Sequence, residues 1–161
     1  MNITNKLQVM TLLETVLERE QKIAVLRYEL AHPISISPDA MIEAMSLTHN
    51  NSTGRLSSHV SDKTAYIALN YQEKTDKVHA DTVNEIAMDL FKLEQVQNRL
   101  KHYISLLEPR QAEVIQLLYI GRLTQKEVER ALRLSAKTIR KLRNEAVDNL
   151  TEMYKCASGK C

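Results

Sequence analysis

The chain has 161 residues, enough for one domain or two small ones, and its 43% hydrophobic content supports packed helices without any run long enough to cross a bilayer. Three Gly and three Pro are too few for an ordinary loop-rich β fold, and the two cysteines in the tail, with no apolar leader at the start, point to a cytoplasmic setting. The net charge of +2 hides an asymmetry: from Pro109 onward eleven Lys and Arg face six Asp and Glu, while the preceding 108 residues hold eleven against fourteen.

From about Asn5 to Ala31, the residues Val9, Leu12, Leu13, Val16, Ile23, Leu26 and Leu30 recur at helical spacing, with Glu14, Glu18, Arg19 and Lys22 on the wet face. His32-Pro33 closes that helix, because the residue before a proline avoids helical geometry. The connector from His32 to Ser61 is rich in Ser, Thr and Asn. Within it, Ser37-Pro38-Asp39 suits the start of a short helix through Met45, and Asn50-Asn51-Ser52-Thr53-Gly54 has the composition of a loop. His49 and His59 flank this loop and with Asp62 are the nearest approach to a metal site, although exposed loop histidines are the plainer reading.

A longer pattern spans about Asp62 to Leu106, where Val83, Ile86, Leu90, Leu93, Val96, Leu100 and Tyr103 alternate in steps of three and four, close to a heptad seam. The two stripes can cover one another as a helical hairpin. Two helices and a connector rarely bury so much apolar surface, so a homodimer is expected as well. A dimer would present two recognition helices to two half-sites.

The C-terminal third is punctuated most clearly. Pro109 suits a helix's first turn, and Val114, Leu117, Leu118 and Tyr119 then form an apolar stripe before Gly121, a residue suited to a left-handed helix end. Thr124 precedes Glu127 at capping-box spacing and opens a second helix burying Val128, Ala131 and Leu132. Ser135 caps a third helix after a gap of three or four residues, as a helix-turn-helix requires. In that third helix Ile139, Leu142, Ala146 and Leu150 mark the core side, and Lys137, Arg140, Lys141 and Asn144 mark the other. Arg and Lys reach guanine edges or phosphates, Asn pairs with adenine, and a helix N-terminus attracts phosphate. Between Arg122 and Arg143 eight basic residues face only Glu127 and Glu129, so binding to double-stranded DNA through this segment should be salt-sensitive.

The run Leu107-Glu108-Pro109-Arg110 through Val114, Leu118 and Tyr119, then Leu123 to Val128, then Leu134 to Arg140, and finally Ala146 and Leu150, resembles region 4 of sigma-70-type RNA polymerase sigma factors. In that family the module reads the −35 promoter element and touches the polymerase flap. The resemblance implies that Ser135 caps the recognition helix and that Ala136, Lys137, Thr138, Arg140 and Lys141 face DNA. With Lys126 and Asn144, these complete the candidate DNA contacts. Two positions depart from the pattern: Glu129 replaces a small residue, and Arg133 stands where glycine or asparagine often makes the turn. With no Trp and a single Phe, Phe91, the chain lacks the aromatic richness of a promoter-melting module. Its layout, including Ser61-Asp62-Lys63-Thr64 opening a long helix, is similar to small phage- and mobile-element-encoded transcriptional regulators of the RinA/ArpU type.

No catalytic constellation, cofactor loop or metal-ligand spacing is evident, so no cofactor and no enzymatic activity are expected. Asp76, Asp81 and Glu85 have the pattern of a solvated acidic face, and Cys156 and Cys161 are expected to be free thiols. The expected protein is all-α: a helical packing and oligomerising region over 1–106, a helix-turn-helix over 107–155 and a tail over 156–161. Its expected function is sequence-specific transcriptional regulation at promoters, with contact to RNA polymerase through the same module. The alternative is a phage DNA-packaging subunit of the small-terminase kind. Such subunits usually place the DNA module first and the oligomerising helices after it, the reverse of the order here.

Overall fold

The computed structural model of the chain describes residues 5–33 and 60–159, the side chains of 60–69, 71 and 72 excepted. All regular structure among the described residues is helical, as the composition predicts. The expected short helix from Ser37-Pro38, the Asn50 to Gly54 loop, and His49 and His59 lie outside the described residues, as does the Asp62 side chain.

Helix α1, Lys6–Glu14, starts at a capping box in which the Asn5 side chain accepts the Gln8 amide at 2.9 Å and the Gln8 side chain accepts the Asn5 amide at 3.3 Å. It ends at Thr15, and α2 follows as Val16–Ala31. The single helix expected from Asn5 to Ala31 is therefore two. Thr15 leaves helical geometry, with φ −92 and ψ 9, while its hydroxyl donates to the Thr11 carbonyl at 2.8 Å, a local bond of the kind that bends helices. Helix α3, Val60–Ser105, is close to the span predicted for it and at 46 residues is about 69 Å long.

The C-terminal elements are α4, Pro109–Ile115, continued by a π-helical turn over Gln116–Ile120, then α5, Gln125–Leu132, and α6, Ala136–Ala157. Pro109 occupies the first turn of α4 as expected. The end of this helix is built differently from expectation. Gly121 has φ −75, and the left-handed residue is Arg122, with φ 50. The wider π turn sends the Gly121 amide to the Gln116 carbonyl at 2.8 Å and the Leu123 amide to the Leu117 carbonyl at 3.0 Å. Glycine at 121 eases a close approach, since a Cβ there would sit 3.0 Å from the Leu117 carbonyl oxygen.

The described residues fall into two compact units, one made by those up to Ala24 and from Phe91 onward, the other by those between Val25 and Leu90. In the first unit, Val9, Leu12, Leu13 and Val16 join Leu100, Ile104, Leu107, Ile115, Ala146, Val147, Leu150 and Tyr154 in one core cluster. A smaller cluster of Val114, Val128 and Ile139 is flanked by Leu117, Leu118, Leu123, Leu132, Leu134 and Leu142. Ala131, expected inside, is exposed. Helix α6 serves both clusters: Ile139 and Leu142 pack with α4 and α5, and its later half meets α1 and α3. Edge-on contact between Tyr103 and Tyr154, with ring centroids 4.8 Å apart, joins α3 to α6.

Arg19, expected on the wet face, is half-buried. It donates to the Gln97 side-chain oxygen at 2.8 Å, the Thr15 hydroxyl at 3.1 Å and the Leu12 carbonyl at 2.8 Å. Gln97, only 3% exposed, passes its amide to Glu20 at 3.0 Å, and Glu20 pairs with Lys101 at 2.8 Å. This relay fixes the start of α2 on α3 and satisfies polar groups that burial would otherwise penalise. In the second unit Tyr28 stacks on His32 at 4.3 Å, next to Pro33 at the end of α2.

Candidate nucleic-acid interface

The site is built on three consecutive local structures. Thr124 and Glu127 form the predicted capping box: the Glu127 carboxylate accepts both the amide and the hydroxyl of Thr124 at 2.7 Å, and the Thr124 oxygen faces the Glu127 amide at 3.4 Å. The Thr124 hydroxyl, and after it the Thr124 amide, hold the Glu127 carboxyl below the usual glutamate value. At the other end of α5, Arg133 adopts φ 52 and ψ 40, and the Leu134 amide reaches back to the Glu129 carbonyl at 3.3 Å. Here an arginine does what glycine does in most such turns, at a conformational cost of about 1–2 kcal/mol. Ser135 then caps α6, accepting the Thr138 amide at 3.2 Å. The result is two helices separated by the three residues Arg133, Leu134 and Ser135.

This geometry decides which α6 side chains are available. Lys137, Arg140, Lys141 and Asn144 are all exposed, and at roughly 100° per residue they share an arc of about 100°. Ile139, 1% exposed, lies on the opposite side of the helix and anchors it. Lys126 is exposed in the first turn of α5. Ala136 and Thr138 are partly covered, and the Thr138 and Ser135 hydroxyls bond each other at 2.9 Å, so both belong to the cap as well as to the surface. Lys141 lies 3.7 Å from Glu145, an exposed pair that screening weakens, and the Asn144 side-chain oxygen accepts Arg143 at 3.3 Å.

Residues 103–152 match the family model of sigma-70, region 4. This stretch is a sigma region 4-like helix-turn-helix. No curated protein and no solved structure matches the chain. The match begins in the last turn of α3 and ends within α6, so it takes in the region 4-like module and its α3 lead-in but not α1 or α2.

Two features near the region 4-like surface were missed by sequence reasoning. Asp148 follows Asn144 by one turn and Lys141 by two, on the same side of α6, and it pairs with Lys6 of α1 at 2.7 Å. Nothing in the local pattern around either residue signals that contact. The second is the left-handed backbone at Arg122, for which the neighbouring glycine was the more obvious candidate.

Other groups in this unit serve packing. Asn149 donates to the buried Gln111 side chain at 3.0 Å, tying α6 to α4. Burial, reinforced by Tyr103, pushes the Tyr154 hydroxyl up to about 12. Cys156 is disulfide-bonded, which corrects the expectation of a free thiol there, and Cys161 lies outside the described residues. No helix among the described residues is long and apolar enough to cross a membrane.

Proposed function

We propose that the chain is a sequence-specific, double-stranded-DNA-binding transcriptional regulator, phage- or mobile-element-encoded, that acts at promoters in the cytoplasm as a non-enzymatic homodimer. The observation that carries this reading is the exposed arc of Lys137, Arg140, Lys141 and Asn144 on a doubly anchored α6, inside a stretch matching sigma-70 region 4. A side-chain set able to read guanine and adenine edges projects from the helix that such motifs place in the major groove. Lys126, Ser135, Ala136 and Thr138 extend the surface toward the phosphate backbone, where the α6 N-terminus adds its own attraction for an anion.

RNA polymerase is the second partner in this reading, contacted through the region 4-like module once DNA has positioned it. The exposed apolar side chains Val25, Tyr28 and Met88 support self-association. The test is titration of labelled duplexes by the full chain over a range of salt, with the mass of the free and bound protein measured in solution. The reading predicts a dimer whose affinity falls steeply with salt, with log affinity losing about 0.9 per phosphate contact for each tenfold rise in salt. A large ring would favour a DNA-packaging subunit, and absence of duplex affinity at low salt would remove the regulator reading altogether.

A further inference from the structure

Among the described residues, two positions other than glycine have a left-handed backbone, Arg122 with φ 50 and Arg133 with φ 52. They bracket one element: Arg122 lies two residues before the Thr124 cap of α5, and Arg133 is the residue on which α5 ends. This conformation crowds the Cβ of an L-residue against the following carbonyl, a conflict that glycine lacks. Glycine occurs next door, at Gly121, yet there the backbone has an ordinary φ of −75. Both left-handed residues are exposed, so packing of the arginine side chains does not compensate for the backbone.

We propose that Arg122 and Arg133 are phosphate-binding residues that hold the DNA backbone from the two ends of α5. The proposal rests on the DNA-binding reading above and adds two contacts to it. In a helix-turn-helix the first helix crosses the sugar-phosphate backbone while the second enters the major groove. Helix α5 is that first helix, and its eight residues span about 12 Å. A helix that crosses the backbone brings the residues flanking its two ends close to phosphates. Arginine suits the task, because its planar, weakly hydrated guanidinium binds phosphate through paired N–H donors. Glycine would turn the chain as well or better but would carry no charge.

The experiment compares Arg122→Gly, Arg133→Gly, Arg122→Lys and Arg133→Lys in the full chain, by thermal melting and by duplex affinity as a function of salt. Each glycine variant should melt at the same or a higher temperature. Each should lose about one unit of the slope of log affinity against log salt, with a several-fold weaker affinity at low salt and unchanged sequence preference. The lysine variants keep both the charge and the left-handed backbone, and should retain the slope. Glycine variants that bind with the slope and affinity of the parent would overturn the inference, and so would lysine variants that lose as much as the glycine ones. Either result with a parent that binds duplexes leaves the DNA-binding reading standing; a parent without duplex affinity at low salt removes both.

Discussion

Glu127 shows how one side chain sets up the interface without belonging to it. Its carboxylate satisfies the start of α5 through Thr124, and its proton affinity is lowered by those bonds. The Glu20 carboxyl is lowered too, chiefly by the Lys101 hydrogen bond and then by that of Gln97. Both groups bind protons less readily in the folded chain than in the unfolded one. Their stabilisation is thus fully present above the ordinary glutamate value of about 4.3 and is lost as pH falls through the lowered values. Melting temperature should drop over that acidic range, and Glu127→Gln, which keeps an acceptor for the cap, should make the drop shallower. On the candidate reading face, Arg140 is exposed on the side opposite Ile139. Arg140→Ala should weaken binding to the preferred duplex by about 1–3 kcal/mol and binding to unrelated duplexes by less, measured by competition titration. An equal loss on every sequence would assign Arg140 to phosphate instead.

The helices explain what could be read from the sequence and what could not. Caps are local, so the Thr124 and Ser135 starts, the Pro109 turn and the α3 span were legible from a few neighbouring residues. The end of α4 was not, because the π turn moves the left-handed position from Gly121 to Arg122, and glycine's other use, close backbone approach, leaves no separate sequence mark. A stripe likewise tells that a face is buried but not against what. The burial of Val9, Leu12 and Leu13 was legible, while their docking with Val147 and Leu150 of α6 depends on contacts between the two ends of the chain. The burial of Arg19 was not legible for the same reason: its partner Gln97 is remote in sequence.

That docking brings Lys6 to Asp148, where it neutralises a carboxylate on the Lys141 and Asn144 side of α6. An exposed pair of this kind contributes only about 0–1 kcal/mol to stability. Lys6→Ala should therefore lower duplex affinity a few-fold with little change in melting, and Asp148→Asn in the same chain should restore it. Restoration of affinity separates this electrostatic role from a structural one. Where α6 meets α3, the Tyr154 hydroxyl is buried with no hydrogen-bond partner among the described residues. Tyr154→Phe keeps the ring against Tyr103 and removes an unsatisfied polar atom, so its melting temperature should be unchanged or higher.

At the scale of the molecule, charge and packing divide the labour. The basic excess lies in the C-terminal third, while the acidic remainder supplies α1, whose apolar face completes the core beneath α6. The candidate reading residues were legible because they share one arc on a helix whose opposite face is fixed by the core. Whether that arc reads bases is tested most directly by selecting bound duplexes from a random pool with the full chain and with Arg140→Ala and Asn144→Ala. The account predicts a discrete motif for the parent chain, with information lost at separate positions in each variant. Enrichment of no motif, or of the same undiminished motif by all three proteins, would contradict it.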